Sequence, residues 1–107
     1  MLHLTTCRAL VLIMATAVDV CQADTVGDPH NGLALAQQVC AQCHATIAEL
    51  ARSPDLRAPT FSELKSAPGM TRTALLVALT TPHAGMPMFT LSSEQRDDII
   101  AYILSLR

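Results

Sequence analysis

Apolar residues of this chain recur at three- and four-residue intervals, and no stretch alternates as a half-buried strand does. The first amphipathic segment runs from about His30 through Val39, with Leu35 and Val39 on one side. Asp28 stands where a capping carboxylate belongs, and Pro29 occupies the first helical position. Thr60-Phe61-Ser62-Glu63 fits a capping box, which predicts a short helix to Ser66 that stops before Pro68-Gly69. Thr71 caps a third helix from Arg72 to about Thr80, with Leu75, Leu76 and Leu79 as its apolar stripe and Pro82 as its stop. Ser92 and Gln95 form another capping box. They open a last helix to Leu106, whose buried face is Ile99, Ile103 and Leu106, with Tyr102 adjoining. Residues 45–59 read as a loop with a turn of helix near Ile47 to Ala51, and residues 83–89 as a second loop. The fold class this predicts is all-α, about four short helices without internal repeats.

The N-terminus departs from that pattern. A polar start with His3 and Arg8 leads into an apolar run from Ala9 to Val18, and Cys21-Gln22-Ala23 offers small residues at a cleavage site before Asp24. This is the layout of a secretory signal peptide, and its apolar core is well short of the ~20 residues a membrane span needs. The expected organisation is therefore a signal peptide over residues 1–23 and one domain over 24–107, placed in the periplasm. An uncleaved anchor is the competing reading. Cleavage removes Cys7 and Cys21, so no disulfide framework remains. It also removes one Arg and one Asp, so the formal net charge of −2 is unchanged. No basic patch suits nucleic acid. A domain this small usually needs a staple beyond its own core.

The chemistry lies in Cys40-Ala41-Gln42-Cys43-His44. A bare C-x-x-C is also found in redox disulfides and zinc sites. No cysteine follows Cys43 to complete a zinc set, and no strand context follows for a thioredoxin-like site. With a histidine directly after the second cysteine, the run reads as a c-type haem attachment site. Two thiols at this spacing can add across the two vinyl groups of one haem. The adjoining imidazole then reaches the iron as proximal ligand. One covalently bound haem c would also be the missing staple. The second axial position has sulfur candidates in Met70, Met86 and Met88 and a nitrogen in His83. In the loop that holds three of these, Gly85 gives backbone freedom, and Pro87 holds Met86 out of helical geometry.

With Cys40-x-x-Cys43-His44 near its start and Met86-Pro87 before a C-terminal helix, the chain resembles the small bacterial class I cytochromes c. The resemblance covers essentially all of residues 24–107. It implies His/Met ligation. In that family the sixth ligand precedes the aromatic of the last helix by sixteen or seventeen residues. Met86 stands sixteen before Tyr102 and Met88 fourteen. The resemblance therefore points to Met86, with Met88 as the alternative. It also implies that Gly32 lets the first and last helices cross closely, and that Tyr102 packs there. Ala36 replaces an aromatic common at that crossing, which puts its tightness in question. Pro59 is similar to the proline whose carbonyl receives the proximal histidine's ring N–H, although the spacing from His44 is long. His83 and His30 are expected at the haem edge and the surface, and Arg52 and Arg57 as solvated loop charges.

A six-coordinate haem has no vacant site for substrate. The expected function is an exported one-electron carrier of a respiratory or dehydrogenase chain, not an enzyme. Its partners are redox donors and acceptors met transiently, the chain working as a monomer or within a larger complex. The alternatives are an electron-transfer subunit fixed in an oxidoreductase and a haem-based ligand sensor with a labile methionine.

Overall fold

The computed structural model describes residues 26–107, so the expected signal peptide and its two cysteines lie outside the described residues. Four helices follow in order: α1 Pro29–Val39, α2 Phe61–Ser66, α3 Arg72–Thr80 and α4 Ser93–Ser105. Each begins at the polar cap the sequence predicts. The Asp28 carboxylate accepts from His30 N–H, and the Thr71 hydroxyl accepts from Ala74 N–H. Both capping boxes close in each direction, Thr60 with Glu63 and Ser92 with Gln95. These caps satisfy N–H groups that a helix cannot pair internally, each contributing on the order of 1 kcal/mol. Among the described residues there is no strand, and the only β-bridge is an isolated one between His83 and Met86.

The main packing event is the crossing of α1 and α4. Gly32 faces α4 so closely that an added Cβ would overlap the Asp98 carbonyl and stand 2.8 Å from the Tyr102 Cβ. One turn later Ala36 is fully buried. The small residue in place of an aromatic therefore does not loosen the crossing, because Gly32 and Ala36 together let the two backbones meet. A side chain at Gly27 would likewise overlap the Asp97 carbonyl, so the approach to α1 is also laid against α4.

Beneath the crossing, Ile99, Ile100, Tyr102 and Ile103 of α4 join Ala36, Phe61 and Leu75 in one core. Ile100 lies inside although it is off the predicted stripe, because α4 packs against α1, α2 and α3 and so buries a wide arc. Leu76 departs the other way. It is 38% exposed, since α3 packs only through Leu75 and Leu79. Asp98 is a buried carboxylate that accepts the Asp28 N–H at 2.7 Å, placing negative charge at the start of α1 where the helix dipole favours it. Arg72 pairs with Asp97 and donates to the Val26 carbonyl, tying α3 to α4 and to the start of the domain.

Tyr102 anchors the loop after the cysteine run. Its hydroxyl donates to the Thr46 carbonyl at 2.6 Å, and its ring meets Phe61 at 6.2 Å between centroids. Burial, with the negative Glu49 second, raises the phenol above the ordinary tyrosine range. The folded state thus prefers the protonated phenol. Its contribution is complete below the unfolded pKa of about 10 and is lost as pH rises through the higher folded value. Tyr102→Phe is expected to cost about 1–2 kcal/mol at neutral pH, because it orphans a buried carbonyl. The variant should also lose the part of the alkaline fall in urea midpoint that belongs to this group. Parallel urea titrations of the two proteins from pH 7 to 11 check both effects.

Candidate haem site

Cys40 sits at the C-cap of α1, its N–H still bonded to the Ala36 carbonyl. The chain then turns tightly, with Cys43 N–H and His44 N–H both donating to the Cys40 carbonyl at 3.1 and 2.9 Å. Three reactive side chains are thereby fixed to the end of a packed helix. Cys40 is buried, and burial pushes its thiol up to about 11. Cys43 is half-buried, and no disulfide joins the two.

The loop beyond His44 folds back beneath it. Asp55 N–H donates to the Cys43 carbonyl, Ala45 N–H to the Ser53 hydroxyl, and Phe61 N–H to the Ala45 carbonyl. These three bonds bring Pro59 to His44, although the two stand fifteen positions apart. His44 Nδ1 lies 2.6 Å from the Pro59 carbonyl. A carbonyl only accepts, so Nδ1 carries the proton and Nε2 keeps its lone pair. The ring is further held 5.6 Å from Phe61, between centroids. An imidazole fixed in one tautomer with a free nitrogen is prepared to bind a metal.

A cavity of about 480 Å³ opens in front of these groups. Cys40, Cys43 and His44 line it from one stretch of chain. Met70, His83 and Met86 reach it from others, and Leu64, Leu75, Leu79 and Ile103 supply apolar wall. Its size falls within the roughly 300–1,000 Å³ usual for cofactor sites. Two thiols, an oriented imidazole and thioether sulfur in an apolar chamber fit a haem bound through thioethers and soft axial ligation. They do not fit a bare ion. Among the described residues, no three His, Cys, Asp or Glu side chains are grouped to hold one.

The two methionines of the loop are separated by their surroundings. Met86 is half-buried and lines the cavity, whereas Met88 is 53% exposed and does not. Gly85, at φ +83°, takes a backbone conformation that L side chains rarely adopt, and it makes the turn that carries Met86 back to the cavity.

Residues 27–103 match the family described as cytochrome c oxidase, cbb3-type, subunit III. Over 107 residues the chain is 36% identical to a cytochrome c-552 of Bradyrhizobium diazoefficiens, an alignment that takes in 99% of this chain and 97% of the relative. The chain belongs to the small class I cytochromes c. No solved structure matches it at a significant level.

As a member of this family the cytochrome carries haem c, bound covalently with its iron, and moves electrons rather than catalysing a reaction. No helix among the described residues is long and apolar enough to cross a membrane. Around the cavity, Arg57 lines the wall but is paired with Asp55, and this neighbour holds the Asp55 carboxyl below the usual carboxylate range. His83 lines the wall from the surface and His30 is exposed away from it, as expected, and Arg52 is also exposed. Met70, set aside in favour of the loop methionines, lines the cavity and packs on the core. Ser53 and Thr46 carry no sequence signal. Their importance arises from contacts made only when the loop has folded back.

Proposed function

We propose that this cytochrome is an exported one-electron carrier of a respiratory or dehydrogenase chain. Its haem is attached through Cys40 and Cys43, and its iron is held by His44 and Met86. The observation that carries the reading is the convergence of the cysteine run and Met86 on one apolar cavity from which Met88 is excluded. Bound there, haem supplies a reversible one-electron iron couple.

The chain's own residues prepare that chemistry. Cys40 and Cys43 would hold the haem through two thioether bonds, each thiol giving its sulfur and its hydrogen to the two carbons of one vinyl group. As a thioether the buried Cys40 sulfur would be neutral, with no ionisation left for burial to oppose. The Pro59 carbonyl keeps the His44 proton on Nδ1, which leaves Nε2 for iron. Met86 offers a neutral, soft donor that favours the ferrous state. With His44 and Met86 both holding the iron, no open site would remain for a substrate.

Attachment of this kind suits a compartment outside the cytoplasm, and residues 1–23 have the layout of a secretory leader. We therefore place the protein in the periplasm with a mature start at Asp24. Transient donors and acceptors suit a small carrier. The family description, an oxidase subunit, favours a second reading in which the same domain works fixed within a larger complex. Co-purification with an oxidase in constant ratio after high-salt washing distinguishes that arrangement from a free carrier.

Expression of the full precursor in a host able to mature c-type cytochromes tests the whole reading. The expected product starts at Asp24 by intact mass, carries the added mass of one haem, and keeps its haem through acid–acetone extraction. A colourless polypeptide after extraction overturns thioether attachment. Retention of residues 1–23 overturns the leader.

A further inference from the structure

From Thr73 to Ser93 the chain contains no Asp, Glu, Lys or Arg, an interruption in a sequence that is 15% charged overall. This stretch holds all of α3 after Arg72 and the whole methionine loop, and it supplies a large part of the cavity wall. Its loop is almost entirely exposed. Ala84, Gly85 and Pro87 line the cavity from the surface, with Phe89 at 36% and Met88 at 53% exposure beside them. On the other chain segment reaching the cavity, Asp55 and Arg57 neutralise each other and Leu56 between them is 82% exposed. Among the described residues, the rim of the haem cavity is thus bare of unpaired side-chain charge and bears three large exposed apolar side chains, Leu56, Met88 and Phe89.

We infer that this rim docks a redox protein whose own contact patch is uncharged and apolar, so that complex formation depends on desolvation rather than on charge steering. The inference rests on the function proposed above and specifies its partner. Charge complementarity carries it. A charged partner patch would be desolvated here against nothing of opposite sign, a penalty without return. Leu56, Met88 and Phe89 release water only against another apolar surface. A patch of this size exposes on the order of a few hundred Å². That is below the ~800 Å² per side of a standard stable interface, which suits an encounter that must dissociate after each electron rather than a permanent second copy. Association by this route is slower than steered association but nearly insensitive to salt.

The test uses the mature haem-loaded protein and gold electrodes covered with methyl-, carboxylate- or ammonium-terminated monolayers of equal length. The wild type is expected to exchange electrons fastest at the methyl surface, with a rate unchanged between 10 and 500 mM salt. Met88→Glu and Met88→Lys are each expected to slow that exchange about tenfold, in the same direction despite their opposite charges. A faster, salt-dependent rate at either charged surface overturns the inference. So do opposite effects of the two substitutions, unchanged rates in both, or a stable wild-type dimer on a sizing column that either substitution dissociates. The potential and the ferric methionine–iron band of both variants should match the wild type. If they change, the assignment of Met86 fails instead, and the wild-type comparison of the three surfaces still decides the docking inference.

Discussion

Gly32→Ala is expected to destabilise the cytochrome by more than about 3 kcal/mol, although alanine is the better helix former. The two effects oppose each other and differ in size. Inside a helix, Gly→Ala gains at most ~1 kcal/mol in propensity. At position 32 the added Cβ falls on the Asp98 carbonyl oxygen and within 2.8 Å of the Tyr102 Cβ. The first obstacle is backbone in the middle of a packed helix, so no rotamer change relieves it, and α1 and α4 must move apart. That movement opens the interface over fully buried Ala36 and disturbs Ile99 and Ile100, and overpacking of a core already costs typically 1–3 kcal/mol. It also strains the bond from Asp28 N–H to the Asp98 carboxylate, which joins the same two helices. For a domain of this size the fall in Tm is about 12 °C or more. Thermal melts of the two haem-loaded proteins check it, and a Tm within 2 °C of wild type would mean that the helices do not cross as closely as described.

The same crossing illustrates what the sequence makes legible and what it leaves out. Helix starts were readable because a cap is local: Asp28, Thr60, Thr71 and Ser92 act on N–H groups two or three residues away. The run from Cys40 to His44 was readable for a related reason, since two thiols and an imidazole act together only at fixed short spacing. The residues missed act over long separations. Asp98 looks like one more polar residue on a surface helix until α1 brings Asp28 to it, seventy positions away in the chain. Ile100 looks surplus to a stripe through Ile99 and Ile103 until three helices pack on α4. Leu76 looks like core because periodicity cannot say how narrow a contact a helix will make. The hydrogen bond from His44 to Pro59 was legible only through the family resemblance and not from spacing, because the Ser53 tether that shortens the distance exists only in the folded loop.

Met86→Ala is expected to leave haem on the chain while changing what the iron does. The covalent bonds proposed for Cys40 and Cys43 do not involve this residue, so the haem content should match the wild type after acid–acetone extraction. Loss of the soft donor removes its preference for ferrous iron, and the reduction potential should fall by on the order of 0.1 V or more, a fraction of the ≈0.8 V that axial ligation spans. The vacated position should admit carbon monoxide in the reduced variant and cyanide in the oxidised one, both of which the wild type is expected to resist. Two further substitutions separate ligation from packing. Met88 is 53% exposed and off the cavity, so Met88→Ala should leave potential, ligand access and stability at wild-type values. Met70 lines the cavity and packs on the core, so Met70→Ala should cost about 2 kcal/mol or more in stability while the ferric methionine–iron band persists. Redox titration, the far-red ferric spectrum and carbon monoxide binding read all three variants. An unchanged potential and an intact methionine–iron band in Met86→Ala would give the sixth position to another residue. Met70 would then be the first to test, because it is the other methionine that the fold brings to the same chamber.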